Sequence, residues 1–218
     1  MLGPQTSVII PTYNRALELR RCLKSLTFQT EKDFEVIVCD DGSTDNTEEI
    51  AAEFSNELDI KYLKSSNFGG PARPRNMGLS IAKGTFVAFL DADDWWCSNK
   101  IKRSIEALNS GFDIIYHDLF LSGVSSFWPF NSRRILKTRS LSSPIFEDLL
   151  SNGNAINLSS VVVRKSVISS IRGFSEDKNL IAGEDYEAWI RLSKITEKFG
   201  RIDEPLGFYW AGGGNLSE

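Results

Sequence analysis

Three aspartates stand at the end of a short apolar run in the middle of the chain. Phe86 to Leu90 has the composition of a buried strand, and Asp91, Asp93 and Asp94 follow it directly. Carboxylates at the end of a buried strand repel one another and lose hydration, so a counter-charge is expected. Their oxygens suit a hard divalent cation such as Mg²⁺ or Mn²⁺. The pattern therefore predicts a site for a metal ion and a phosphate group.

Two further pairs of acids occur where predicted elements meet. Asp40-Asp41 follows a second apolar run, Phe34 to Cys39, and Glu184-Asp185 begins an amphipathic stretch. A carboxylate can serve a ligand purely as a hydrogen-bond acceptor, or it can act as a general base toward a hydroxyl group. Both pairs also have a structural interpretation, because acids suit turns and complement the dipole at a helix start.

A glycine-containing loop and two arginines extend the set of candidate ligand groups. Asn67-Phe68-Gly69-Gly70-Pro71 precedes a predicted helix, and its glycines would let the backbone approach a diphosphate closely. That helix contains Arg73 and Arg75, either of which could pair with phosphate or orient the acids. Pro11 and Tyr13 follow the first predicted strand, where they suit strand termination and core packing as well as contact with a ligand.

The elements between these residues alternate between strands and helices. The predicted strands are 7–10, 34–39, 60–63 and 86–90, and the predicted helices are 16–29, 46–57 and 72–82. This alternation indicates an α/β protein with a doubly wound, mostly parallel sheet of Rossmann-like type and helices on both faces. Ligands bind such sheets at the carboxyl ends of the strands, which is where the acids lie.

The second half of the chain is less regular. The predicted elements are helices at 99–110, 165–171 and 184–198 and strands at 112–117, 159–164 and 205–210. An irregular stretch contains Phe127-Trp128-Pro129-Phe130 and a basic run from Arg133 to Arg139. The basic run suits a solvated loop over a core aromatic cluster, or a contact with an anionic membrane or a lipid-linked diphosphate.

Composition argues against several classes of protein. A net charge of −4 over 218 residues disfavours nucleic acid as the main partner, and a hydrophobic content of 41% is ordinary for a globular protein. No apolar run is long enough to span a bilayer, and the N-terminus lacks a signal-peptide pattern. The three cysteines have no metal-ligand spacing and indicate a reducing, cytoplasmic compartment. The single histidine, His117, excludes a multi-histidine metal site.

Five motifs follow one another in the order found in family 2 glycosyltransferases, and the sequence resembles that family over nearly its whole length. The motifs are Ser7-Val8-Ile9-Ile10-Pro11-Thr12-Tyr13-Asn14-Arg15, Asp40-Asp41-Gly42-Ser43-Thr44-Asp45, Arg75-Asn76-Met77-Gly78, Leu90-Asp91-Ala92-Asp93-Asp94 and Gly183-Glu184-Asp185-Tyr186. The resemblance implies the GT-A fold in a single domain over residues 1–218. Residues 1–97 would bind a nucleotide sugar, and residues 98–218 would bind the acceptor.

The resemblance also implies roles for the residues that would hold the donor. Asp91-Ala92-Asp93 matches the family's DXD motif, in which Asp93 would ligate Mn²⁺ or Mg²⁺ and Asp91 would contact the ribose or the water shell of the metal. Asp41 would accept a hydrogen bond from the imide N–H of uracil or thymine. Pro11 and Tyr13 would lie against the base and the ribose.

The remaining roles concern the diphosphate and the reaction. Asn67 and Arg75 would lie at the diphosphate, although the proline before Arg75 departs from the family pattern and leaves Arg73 as an alternative. Asp185 would be the general base of an inverting reaction, and Glu184 would orient it or bind the acceptor. No histidine follows the last predicted strand, so the metal ion would rely on the aspartates, the diphosphate and water.

We therefore expect a metal-dependent, inverting glycosyltransferase that moves a sugar from a UDP- or dTDP-sugar to a glycan or lipid-linked saccharide in surface polysaccharide assembly. Its expected place is the cytoplasm, with a peripheral contact at the inner face of the membrane and no nucleic-acid partner. Two alternatives remain: a nucleotide-sugar binding module without activity, and a sugar nucleotidyltransferase. The second usually has a glycine-rich triphosphate loop after its first strand, and residues 11–15 contain no glycine.

Overall fold

The computed structural model describes residues 3–123 and 134–212. The strands are β1 (Thr6–Thr12), β2 (Phe34–Asp40), β3 (Ile60–Lys64), β4 (Phe86–Phe89), β5 (Trp95–Trp96), β6 (Ile114–Ser122), β7 (Ile135–Leu136), β8 (Val162–Arg164) and β9 (Phe199–Trp210). The α-helices are α1 (Ala16–Thr27), α2 (Thr47–Glu53), α3 (Ala72–Ile81), α4 (Lys100–Asn109), α5 (Ile145–Asn152), α6 (Lys165–Ser170) and α7 (Glu184–Ser193).

The strands of the described residues form one curled sheet in the order β3-β2-β1-β4-β8-β6-β9-β5, with β7 paired to β6. β3, β2, β1 and β4 are parallel, as the alternation of strands and helices in the first half predicts. β8 is antiparallel to β4 and β6, β6 and β9 are parallel, and β5 is antiparallel to β9. The predicted α/β class with a mostly parallel sheet is confirmed.

Alternate residues of β1 point into two separate hydrophobic cores. Ile9 belongs to the core that contains Trp189, whereas Val8 and Ile10 belong to the core that contains Leu23. Helices α3, α5, α6 and α7 supply the first core, and α1, α2 and α4 supply the second. The sheet therefore has helices on both faces, which gives it the predicted doubly wound form.

The first strand does not end at Pro11, although proline suits strand termination. β1 continues through Pro11 to Thr12. The carbonyl of Ile9 accepts a bond from the N–H of Leu90 on the β4 side, and that of Thr12 accepts one from Asp41 on the β2 side. The backbone groups of successive residues in a strand point toward opposite neighbouring strands, so those of Pro11 point toward the β4 side. The pairing of β4 with β1 ends at Ile9, before it reaches Pro11. Its missing N–H therefore removes no bond of the sheet.

Several elements of the second half differ from the sequence-based expectation. Helix α5 was not predicted, and helix α7 ends at Ser193 rather than near residue 198. β9 begins at Phe199, six residues early, because its first part pairs with Ile114 and the residues after it in β6. The aromatic cluster at 127–130, Arg133 and the glycines at 213–214 lie outside the described residues. Within 3–123 and 134–212, no helix is long and apolar enough to cross a bilayer.

Candidate active site

A cleft of about 600 Å³ opens at the carboxyl ends of β1, β2 and β4. Its volume is that of a typical small-molecule site, and its position is the one expected for a doubly wound sheet. Nine of the residues that the sequence singled out for ligand binding or catalysis line it: Pro11, Tyr13, Asp41, Asn67, Arg75, Asp91, Asp93, Glu184 and Asp185. The fold therefore brings together groups from both halves of the chain.

Arg75 is buried between two carboxylates in this cleft. Its Nη2 donates to Asp91 Oδ1 at 2.7 Å, and its Nη1 donates to Glu184 Oε1 at 2.5 Å. Burial opposes the charge of the guanidinium, but the two carboxylates outweigh burial and raise the pKa of Arg75. Arg73, the alternative left open by the sequence, is exposed and lies 5.5 Å from the ring of Phe68. Arg75 is thus the arginine that bridges the acidic loop after β4 and the first turn of α7.

The residues after this arginine explain why α3 lies against the sheet. A Cβ at Gly78 would be 2.7 Å from Ile9 Cγ2 and 2.9 Å from Cys39 Sγ, so only glycine permits this close approach. Asn76 Nδ2 donates to the carbonyl of Phe174 at 2.9 Å, and Asn76 Oδ1 accepts from the N–H of the same residue at 2.9 Å. These contacts fix the helix in the position that directs its arginine into the cleft.

Asp41 holds the loop that precedes α3. Its Oδ1 accepts from the N–H of Phe68 at 2.8 Å, and its Oδ2 accepts from the N–H of Gly69 at 3.0 Å. The two oxygens retain further lone pairs for a ligand. The neighbouring Asp40 instead accepts from the N–H of Ser43 at 2.8 Å and does not line the cleft. The two acids of this pair therefore have different structural settings.

Asp93 is a partly buried carboxylate that lines the cleft. Burial, reinforced by the charge of Asp91, raises the pKa of Asp93 to about 6. A cation would favour its ionised form. The described part of the chain contains no cluster of three or more His, Cys, Asp or Glu side chains that could hold a metal ion. One or two carboxylates, with phosphate and water, are nevertheless the ordinary ligands of Mg²⁺-type ions. Asp91 and Asp93 therefore fit such an ion.

His117 cannot complete a metal site in the cleft. It is fully buried in β6, and its Nδ1 lies 2.7 Å from the carbonyl oxygen of Asp118. Burial lowers the pKa of His117 to about 3. His117 does not line the cleft, whereas Asp91, Asp93 and Asp185 do.

Asp185 lines the cleft from the first turn of α7. Its Oδ1 accepts from the N–H of Tyr186 at 2.7 Å. Burial raises the pKa of Asp185 to about 6, with smaller contributions in the same direction from Glu184 and Asp91, whereas Arg75 lowers it. A carboxylate with this pKa is ionised at neutral pH and is a stronger base than an ordinary aspartate. Its setting suits proton abstraction.

Residues 154–158 form one wall of the cleft that the sequence analysis did not predict. Asn154 Oδ1 accepts from the N–H of Ile156 at 3.0 Å, and Asn157 Oδ1 accepts from the N–H of Ser159 at 3.0 Å. Asparagine and glycine at 152–154 signal a loop. No local pattern shows that this loop faces the cleft, because its position depends on the packing of α5.

Comparison with known proteins identifies the family of this chain. Residues 7–170, more than half of the chain, match the model of Glycosyl transferase family 2. The chain belongs to this family. The match includes four of the five motifs singled out above and ends before Glu184-Asp185.

This family 2 glycosyltransferase is similar to two curated enzymes. It is 30% identical over 194 residues to the GalNAc(5)-diNAcBac-PP-undecaprenol beta-1,3-glucosyltransferase of Campylobacter jejuni, which covers 88% of this chain and 60% of that enzyme. It is 32% identical over 212 residues to the amylovoran biosynthesis glycosyltransferase AmsB of Erwinia amylovora, covering 93% of this chain and 68% of that enzyme. The chain spans 33% of the length of other curated relatives.

Its fold is that of a solved glycosyltransferase. The crystal structure of Staphylococcus aureus TarS 1–349 in complex with UDP-GlcNAc has a TM-score of 0.77 and 26% identity to this chain. The match covers 97% of this chain and 60% of that chain. The family 2 domain therefore has the GT-A fold, as the sequence resemblance implied.

Proposed function

We propose that this chain transfers a sugar from a nucleotide-diphosphate sugar to a hydroxyl group of a saccharide acceptor, with inversion at the anomeric carbon. The observation that supports this most strongly is the bridge made by Arg75. Arg75 pairs with Asp91, one of the acids suited to the metal ion of a donor diphosphate. It also pairs with Glu184, which precedes the candidate base Asp185. Donor and acceptor chemistry can therefore share one cavity.

The nucleoside would bind at the ends of β1 and β2. Tyr13 is 47% exposed there, so its ring is available to a base or ribose, and Pro11 lies two residues before it. Asp41 keeps acceptor lone pairs that suit the imide N–H of a pyrimidine such as uracil or thymine. The UDP-GlcNAc named for TarS supports the same class of donor. We propose a UDP- or dTDP-sugar.

The diphosphate would bind beside Asn67 and the glycine loop. Asp91 and Asp93 would hold a Mn²⁺ or Mg²⁺ ion there. Such an ion, when bound, stabilises the negative charge that develops on a leaving nucleoside diphosphate. Arg75 would act by orienting the acids, because both ends of its guanidinium are already paired with carboxylates.

Asp185 would act as the general base of a single displacement. The acceptor oxygen would form its bond to the anomeric carbon while the bond from that carbon to the diphosphate breaks. The hydroxyl proton would pass to the carboxylate of Asp185, which a pKa of about 6 leaves ionised at neutral pH. Glu184 accepts a hydrogen bond from Arg75 and would thereby hold the first turn of α7 in position relative to the donor.

The named relatives support an acceptor in surface glycan assembly. One name contains PP-undecaprenol and the other names amylovoran biosynthesis, so we propose a saccharide or lipid-linked saccharide, reached in the cytoplasm at the inner face of the membrane. Within the described part of the basic run, Arg139 pairs with Asp148, whereas Arg134 and Lys137 are exposed. A peripheral membrane contact would involve those exposed side chains.

A transfer assay tests the proposal. The purified protein is incubated with UDP- and dTDP-sugars, Mn²⁺ and saccharide lipid diphosphates, and release of nucleoside diphosphate is measured. We expect release that depends on the acceptor and stops when a chelator is added. Binding without turnover would favour the inactive binding module. Formation of a nucleotide sugar from a nucleoside triphosphate and a sugar phosphate would favour the nucleotidyltransferase.

A further inference from the structure

A stacked arginine lies next to the acidic loop at the end of β4 but outside the cleft. The guanidinium carbon of Arg21, on α1, lies 4.0 Å from the ring centroid of Trp95 and 4.5 Å from that of Trp210. Its Nη2 donates to the backbone carbonyl of Asp93 at 2.6 Å. Arg21 lines a separate surface hollow and contacts the acidic loop through the backbone of this aspartate.

The two indole rings belong to different parts of the sheet. Trp95, in β5, is stacked on Phe208 of β9 with ring centroids 5.0 Å apart and an interplanar angle of 9°. The N–H of Trp210, at the end of β9, donates to Asp94 Oδ1 at 2.8 Å, and Asp94 is buried. The acidic loop and the end of β9 are therefore joined twice, once through Arg21 and once through this hydrogen bond.

The end of β9 is closely packed around its indole ring. A Cβ at Gly123 would lie 2.8 Å from the ring of Trp210, and a Cβ at Gly212 would lie 2.2 Å from it. Glycine at both places lets the backbone close around the ring. Tyr209, the residue before this tryptophan, lines the cleft.

The preceding residue provides a contrast on the same helix. Arg20 pairs with Glu53, and both side chains are about half exposed. Arg21 is partly buried, and burial lowers its pKa, so holding a cation there costs free energy. Cation–π stacking and the hydrogen bond to Asp93 offset that cost. Only a planar guanidinium can stack on two rings and donate in its own plane, which lysine cannot reproduce.

We propose that Arg21 is a positioning residue for the donor site. It holds the backbone carbonyl of Asp93, and with it the orientation of the Asp93 carboxylate, and it couples this loop to the end of β9 through Trp210. The inference rests on the proposed function, because the group that Asp93 would position is a metal-bound nucleoside diphosphate. The expected consequence is specific: Arg21 should matter for metal-dependent nucleotide binding more than for nucleotide binding without metal.

Calorimetric titration with UDP, with and without Mn²⁺, tests this. In Arg21→Gln and Arg21→Lys we expect the affinity for UDP in Mn²⁺ to fall by about tenfold or more, as for other residues that orient metal ligands. The affinity without Mn²⁺ should be unchanged. Arg20→Gln is the matched control and should alter neither value. An equal loss with and without Mn²⁺, or no loss in either Arg21 variant, would overturn the inference while leaving the proposed function intact.

Wild-type protein that binds no UDP would count against the proposed function and this inference together. Should Arg21→Gln fail to fold, Trp210→Leu removes the other side of the stack and should give the same metal-specific loss. The double variant Arg21→Lys/Trp210→Leu should bind UDP in Mn²⁺ no more weakly than the weaker single variant, because both act through one contact. Losses that add fully would show that the two residues act separately and would overturn the coupling.

Discussion

Replacing Asp185 by asparagine is expected to abolish transfer and, at the same time, to stabilise the folded protein at neutral pH. The amide keeps the size of the carboxylate and an oxygen that can accept from the N–H of Tyr186, but it cannot take a proton. Loss of a general base slows a reaction by about 10²- to 10⁴-fold. Nucleotide affinity should be unchanged, because the proposed nucleotide site is formed by Asp41 and Asp93 and not by Asp185.

The stabilisation follows from the raised pKa of Asp185. Burial raises this pKa from 3.8 to about 6. A shift of that size corresponds to about 3 kcal/mol in the free energy of unfolding. Because the folded-state pKa lies above the unfolded-state value, the contribution of this group to stability is fully present below about pH 4 and is lost as pH rises through about 6. Asparagine resembles the protonated acid at every pH.

Urea denaturation of both proteins, followed by tryptophan fluorescence without ligands, measures the difference. We expect Asp185→Asn to be more stable than the wild type by up to about 3 kcal/mol at about pH 7.5 and equally stable at about pH 4. Glu57→Gln, at an exposed acid that does not line the cleft, is the control and should show no such pH-dependent gain. Equal stability at about pH 7.5 would refute the burial of an ionised carboxylate, and wild-type transfer by Asp185→Asn would refute its role as base.

Three further outcomes are expected. At saturating Mn²⁺, which favours ionised Asp93, the kcat/KM for transfer should fall about tenfold per unit as pH drops below about 6, because Asp185 becomes protonated, and a pH–rate profile checks this. Arg75→Leu should cost about 3–5 kcal/mol in chemical denaturation, because Glu184 would stay buried without its partner, and Arg75→Lys should cost less. Gly78→Ala should lower stability by about 1–3 kcal/mol in thermal denaturation, because its Cβ would lie 2.7 Å from Ile9.

Much of the site could be predicted because its acids directly follow buried strands, which apolar runs in the sequence identify. Asp91 and Asp93 follow a buried strand directly, and Asp41 follows another, so the carboxyl edge of a parallel sheet brings them together. The ion pair between Arg75 and Glu184 could not be predicted in this way. It joins residues 109 positions apart and depends on how α3 and α7 pack on the same face of the sheet.

The features that were missed share a dependence on tertiary packing. Arg21 has the sequence setting of an ordinary helix charge, and its contact with the carbonyl of Asp93 spans 72 positions. β5 is only two residues long, too short for a periodic pattern, and it forms because Trp95 and Trp96 pair with β9. The wall at 154–158 likewise depends on α5. These contacts position the acids, whereas the motifs reveal only the acids themselves.

The most direct test of the proposed function is the anomeric configuration of the product, determined by NMR after reaction of an α-linked UDP- or dTDP-sugar with a saccharide lipid diphosphate. The proposed displacement predicts a β-glycoside from the wild-type protein and no glycoside from Asp185→Asn. An α-glycoside, or the same β-glycoside formed at an equal rate by Asp185→Asn, would contradict it.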